Sequence, residues 1–220
     1  MHTLAKHQRT FSALPGRISI SMRLLLLWGL LSAAALPGGE TATYRVTPES
    51  GSNFSLDVFK TGLMAGKKHH FVFLRYGGEI EYDRENPGNS KVHFRVEAAS
   101  AILTDNWVSE ADRKKILAAA LHDMTAAGNY PELVFSSTRI EAGGSNRFAV
   151  EGMLTVGGIP KPVTIPVTIQ PQPPDRMDLA GEAQIRLRDY GLKPPSAFLG
   201  AIGTKNELAV SFNLTARKST

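Results

Sequence analysis

Outside the first 39 residues the chain carries four histidines, His69, His70, His93 and His122, the side chains best suited to metal ligation or proton transfer near neutral pH. Their placement works against both roles. His69 and His70 are neighbours in an extended run, so they point to opposite faces and cannot serve one site. His93 falls on the outward face of its strand and His122 on a helix. Of the first pair one member points inward, and the alternation alone does not say which. The carboxylates Asp105, Asp123, Glu132 and Asp189 are scattered among turns and helix faces and are not paired for acid–base work. Ser136 and Ser137 read as strand hydroxyls. No nucleophile elbow, phosphate loop or HExxH run occurs. The chain has no cysteine, which removes thiolate zinc sites, thiol nucleophiles, lipidation at a lipobox, covalent haem and disulfides. The sequence therefore predicts no catalytic residue, no metal site and no cofactor.

The remaining chemistry is apolar, and strands must position it. Phe54, Leu56 and Val58 alternate with Ser55, Asp57 and Phe59; Val92, Phe94, Val96 and Ala98 alternate with His93, Arg95 and Glu97. Further strands are expected at 132–140, 147–156, 163–170, 178–188 and 206–216. Phe148, Val150, Gly152, Leu154 and Val156 share one face of the second of these. Gly157 to Pro162 reads as the corner of a hairpin, and the interior pair Gly77 and Gly78 as a bend or bulge that curves the sheet. One stretch changes period. After Thr104 or Asp105 as N-cap, Ile116, Leu117, Ala120, Leu121 and Met124 recur at helical spacing until Gly128 and Pro131. So many antiparallel strands are best freed of edges by closure. The predicted fold is all-β: a closed, antiparallel, eight-stranded, lipocalin-like barrel with one or two helical inserts.

The first 39 residues differ from the rest. They hold Lys6, Arg9, Arg17 and Arg23 and no acid, followed by an apolar stretch from Leu24 to Leu36 and small residues at Ala33 and Ala35. This is the pattern of a secretory signal, too short to make a comfortable membrane span. Residues 1–42 are expected to be signal and extension, with cleavage after Ala35 or Ala42 and with Met22 as an alternative start. Residues 43–220 form the predicted domain, periplasmic or secreted. Without residues 1–39 the chain has 21 basic and 20 acidic side chains, which gives no electrostatic case for nucleic acid.

Three segments, HDMTAAGNYPELVFSST (122–138), GMLTVGGIPKPVTIPV (152–167) and RLRDYGL (186–192), come in an order and spacing that resembles the YceI-like family of exported, lipocalin-like barrels, from about Tyr44 to Lys218. The matching positions are Pro131 and Phe135, then Gly152, Gly158, Lys161 and Pro162, then Arg188, Asp189, Tyr190 and Gly191. Tyr190 stands where the family more often has Phe, and the GKKHHF segment has two histidines where many members have one. The resemblance implies an internal cavity for a long apolar chain, such as a polyisoprenoid, an isoprenoid quinone or a fatty-acid derivative. It implies transport or storage and no enzyme activity. Phe54, Phe71, Phe94, Phe135, Phe148, Leu154, Ile185 and Phe212 are the expected cavity lining. Lys161, Arg188 or a histidine of the 69/70 pair is expected to face a polar head. The competing reading is a filled structural barrel that acts as an adaptor through its surface or a homodimer edge, because inward Phe and Val usually mean core.

Overall fold

A computed structural model describes residues 41–49, 51–170 and 173–219, which belong to one compact unit. The predicted signal segment, with Met1, Met22 and most of residues 1–42, lies outside the described residues. In chain order the elements are β1 (Thr41–Val46), β2 (Asn53–Gly62), β3 (Lys68–Phe73), β4 (Tyr76–Asp83), β5 (Lys91–Glu97), β6 (Ala101–Leu103), α1 (Glu110–Ala119), β7 (Glu132–Ala142), β8 (Arg147–Val156), β9 (Ile159–Gln170), β10 (Arg176–Arg186), β11 (Ser196–Ala197) and β12 (Ile202–Lys218).

These strands make a closed antiparallel barrel of eight staves. Three staves are each split in two. β1 and β2 lie end to end along β12, which pairs with β2 through residues 202–213 and with β1 through 216–218. β3 and β4 form the next stave, facing β2 and β1, and β5 and β6 the one after. β7, β8, β9, β10 and β12 complete the circle. The short β1 to β12 ladder, Tyr44 opposite Lys218 to Val46 opposite Ala216, is what closes it.

Among the described residues a single α-helix, α1, lies between the end of β6 and the start of β7. Its N-cap is Ser109, whose Oγ accepts the Asp112 N–H at 3.2 Å, and not Thr104 or Asp105 as the pattern predicted. Asp105 is used elsewhere, as described below. A turn of π-helix, Ala120–Met124, continues α1. Ile116 and Leu117 pack on the core, and Arg113 donates to the carbonyls of Leu103 and Asp105, tying the helix to the end of β6.

Two expectations about the sheet are corrected. The register with β5 runs unbroken through Gly77 and Gly78, and the ladder with β1 ends at Gly78, so no bulge sits there; irregularities fall instead between Ser137 and Arg139 and between Thr204 and Leu208. The hairpin corner is Gly157 and Gly158 alone, with φ of 57° and 77°, as a two-residue primed turn requires. β9 then runs straight through Pro160, Pro162 and Pro166. These prolines share one parity, and β10 pairs with β9 only from Val167 onward. Their missing N–H groups face the edge of β9 that β10 does not reach, where proline costs no ladder bond.

The glycines inside the barrel have a packing role. Gly78, Gly152 and Gly181 all point inward, and a Cβ on each would come within 2.9 Å, 2.5 Å and 2.4 Å of the rings of Phe94, Phe135 and Phe212. Each ring takes up space a Cβ would need, together with the backbone carbonyl of His93 at Gly78, Ser136 at Gly152 and Pro166 at Gly181. Gly152→Val is expected to displace Phe135 and destabilise the fold by about 1–3 kcal/mol, the cost of over-packing. For a domain of this size that is a fall of roughly 2–10 °C in the midpoint of thermal unfolding followed by circular dichroism.

Candidate functional site

The barrel encloses a cavity of about 180 Å³. Its wall is built by strand parity: Phe148, Val150, Leu154 and Val156 from β8, Val163 to Ile169 at alternate positions of β9, Met177 to Ile185 at alternate positions of β10, and Leu208 to Leu214 at alternate positions of β12. No Asp, Glu, Lys or Arg lines it. Four polar side chains reach the wall, Tyr82, Ser90, His93 and Thr125, and the last three have partners. Ser90 Oγ accepts the Asp83 N–H at 3.0 Å, Thr125 Oγ1 donates to the Leu121 carbonyl at 3.1 Å, and His93 Nδ1 lies 3.0 Å from Ser136 Oγ on the outer side.

An aromatic belt crosses the lumen. Phe54 packs against Phe94 at 5.4 Å between ring centroids, against Phe73 edge-on at 5.8 Å and stacked on Phe212 at 6.3 Å. Phe54, Phe94 and Phe212 are only half-buried although they sit inside, because they border empty space. The cavity is smaller than the range of about 300–1,000 Å³ typical of drug-sized pockets. It suits a narrow chain, and a long one must push the belt aside.

Seven of the predicted lining residues, Phe54, Phe94, Phe135, Phe148, Leu154, Ile185 and Phe212, are on this wall. Phe71 is not. It is buried in the same core but packs between Leu56 and Leu103 and against the edge of His69, beyond the end of the cavity. Lys161, opposite Leu154, has inward parity and is half-buried at the end of β9. Arg188 stands exposed on a 3-10 turn, Leu187–Tyr190, where only its backbone is engaged, by Asn206 Oδ1 at 2.9 Å. The buried members of that turn are Leu187 and Tyr190, which help close the barrel end; burial pushes the Tyr190 phenol up to about 12, so it stays protonated. Aliphatic lining such as Ile165, Val167, Leu179 and Ala183 was equally readable from alternation but lacks the aromatic label that drew attention to the others.

Sequence reasoning missed a buried polar cluster at the helix-bearing end. His69, not His70, points inward, and its Nδ1 lies 2.6 Å from Asp105 Oδ2, both side chains being about 4% exposed. Asp105 Oδ1 accepts the His70 N–H at 3.0 Å, and the Trp107 ring stacks on the imidazole at 5.2 Å. Asp105 and Trp107 come from the irregular segment after β6, so no strand or helix period signalled them. His70 is turned outward onto Asp57. Burial pulls the His69 pKa below its ordinary value, the Asp105 bond opposes that, and the Lys60 charge adds to the lowering. The neutral ring donates from Nδ1 to Asp105 and leaves Nε2 as a bare acceptor, buried with no partner. The cluster is not on the cavity wall, and among the described residues no three metal-ligating side chains gather anywhere.

A closed eight-stranded barrel with an uncharged apolar lumen defines the class of single-chain β-barrels built around an internal cavity. Within that class the YceI-like domain matches residues 44–216, and the chain belongs to the YceI-like family. A UPF0312 protein of Vibrio campbellii is 30% identical over 171 residues, covering 76% of this chain and 86% of the relative. One from Pseudomonas syringae pv. syringae is 27% identical over 194 residues, covering 86% and 95%. Among solved structures, Burkholderia cenocepacia BcnA superposes with a TM-score of 0.61 at 21% identity, covering 74% of this chain and 95% of that one. A polyisoprenoid binding domain from Saccharophagus degradans, implicated in plant cell wall breakdown, gives 0.56 at 10% identity, covering 82% and 100%. At these identities both likenesses concern the fold.

A histidine held neutral by burial takes up fewer protons in the folded than in the unfolded chain once the pH drops below the unfolded value of 6.5. Stability is therefore expected to fall as pH decreases through 6.5, and to level off only beneath the lowered folded value. Chemical denaturation between about pH 7.5 and pH 5 should show this slope, and His69→Gln should flatten it.

Proposed function

We propose that this protein is an exported binding protein that holds or carries a long, slender apolar molecule of the isoprenoid type in its barrel. The observation that carries the proposal is the apolar wall of the cavity, on which among the described residues no Asp, Glu, Lys or Arg stands. Each Å² of tail surface taken from water by such a wall contributes about 25 cal/mol without help from any polar group. Family membership and the polyisoprenoid-binding description of one structural neighbour support the same ligand class. In this reading Phe54, Phe94, Phe135, Phe148, Leu154, Ile185 and Phe212 hold the tail, Lys161 is the nearest predicted cation for a head, and the protein is no enzyme. The signal-like pattern of residues 1–42 supports export, and the chain then works in the periplasm or outside the cell.

The modest volume and the aromatic belt favour a second reading, a filled barrel that acts through its surface. Organic extraction of protein taken from its native compartment, followed by mass spectrometry, separates the two: a stoichiometric lipid with an alkyl or prenyl tail supports the first, and its absence the second. The intact mass of the same sample is expected to lack residues 1–35 or 1–42.

Ala183 lies on the wall of β10 where β9 does not pair with it, so a larger side chain fills the lumen at little cost to the ladder. Ala183→Phe is expected to weaken binding of a fluorescent prenyl alcohol by about tenfold or more, the worth of one lost apolar contact of that size. The thermal midpoint should change little. Unchanged affinity would place the ligand elsewhere.

A further inference from the structure

Two hairpin tips stand side by side at the end of the barrel that carries α1. One is the turn between β2 and β3, with the sequence GLMAG at 62–66; the other is the Phe198–Gly200 turn between β11 and β12. They are fastened together. Leu63 N–H donates to the Ala201 carbonyl at 3.0 Å, and Gly62 approaches so closely that a Cβ on it would lie 2.1 Å from the same oxygen. Beside them Gly62 and Thr61 pair with Ile202 and Gly203, which β11 covers from the other side. The two tips therefore form one platform.

What the platform presents is unusual for a protein surface. Leu63, Phe198 and Leu199 are 83%, 78% and 110% exposed. Phe198 and Leu199 have φ of 50° and 55°, the left-handed region that L side chains disfavour and that Gly or Asn would occupy with less strain. This backbone does not bury its two largest apolar side chains but projects them into solvent. Charge within the two segments that build it is of one sign. From Val58 to Lys68 and from Gly191 to Lys205 the chain has no Asp or Glu and five lysines, Lys60, Lys67, Lys68, Lys193 and Lys205. Lys68 is engaged with Asp57, and Lys60 lies within the field of Asp105. Lys67, Lys193 and Lys205 are exposed and have no carboxylate partner among the described residues; Lys67 and Lys205 rest over the rings of Trp107 and Phe59.

We propose that this platform docks the protein on an anionic lipid surface, with Leu63, Phe198 and Leu199 entering the interfacial layer and the lysines meeting lipid phosphates. Apolar side chains on a rigid projection, flanked by the unpaired Lys67, Lys193 and Lys205, match what an anionic bilayer offers. A protein partner fits less well, since the cores of protein interfaces are depleted in lysine. The inference rests on this surface alone and is independent of what the barrel holds. The same end of the barrel brings Leu133 and Val156 to the cavity wall, so docking would bring the lumen close to the membrane.

The test is co-sedimentation of the full chain with vesicles of phosphatidylcholine, with and without phosphatidylglycerol, so that the apolar run at Leu24 to Leu36 is common to every comparison. The wild-type chain is expected to bind the anionic vesicles at least about tenfold more tightly than the neutral ones, with loss at about 0.5 M salt. Phe198→Asn/Leu199→Asn is expected to weaken anionic binding by at least about tenfold. Its thermal midpoint should be equal or higher, because Asn accepts the left-handed conformation. Lys67→Gln/Lys205→Gln should lower both the affinity and its salt dependence. Equal binding of wild type and the Asn variant, or no preference for anionic vesicles, overturns the proposal. So does a self-association in sedimentation that the Asn variant abolishes without any vesicle binding, which would make the platform an interface between copies.

Discussion

Three phenylalanine rings packed against three bare glycines set the shape of this barrel's interior. Phe94 at Gly78, Phe135 at Gly152 and Phe212 at Gly181 each occupy space that a side chain on the facing residue would need. Eight staves converge on one axis, and side chains from all of them compete for the same volume. Removing three Cβ atoms at inward positions lets aromatic surface line the wall without closing it. The half-buried Phe94 and Phe212 rings that border the cavity belong to this arrangement.

The wall is not uniform around its circumference. Between β9 and β10 the ladder stops at Val167, and Pro160, Pro162 and Pro166 fall on the open edge. Side chains on both sides of that gap, Val163 and Ile165 facing Ala183 and Ile185, still line the cavity. The weakest seam of the barrel therefore runs along the lumen and towards the end closed by α1 and the Leu187–Tyr190 turn. At that end the chain also concentrates its polar and exposed features: the His69 and Asp105 pair with its unpartnered Nε2, and the two fastened tips with their outward Leu63, Phe198 and Leu199. The opposite end, around β1 and the start of β5, is conventional by comparison, with Asp83 accepting the backbone N–H groups of Glu85 and Asn86 in a turn.

The alternation of apolar and polar residues, with period two over segments such as 92–98 and 148–156, settled from sequence that the fold is antiparallel β and which face of each strand turns inward. That is why seven of the eight residues expected to line the cavity lie on its wall. Turn chemistry was legible where it is local, as at Gly157 and Gly158 with their positive φ, and misread where it is not. Proline parity on β9 has meaning only once it is known that β10 leaves that edge unpaired. An inward glycine says nothing of a bulge or a ring until its cross-strand neighbour is known.

The sequence by itself determined class, periodicity and the uncharged character of the lumen, because these depend on residue type and on neighbours one or two positions away. Only the tertiary structure decided which staves meet, that Asp105 leaves the helix cap to hold His69 from 36 positions distant, and that Phe71 falls beyond the cavity while Ala183 lines it. It alone brought Leu63 beside Leu199. Each of these rests on contact between segments far apart in the chain, and strand pairing sets such contacts through a register that no single segment encodes.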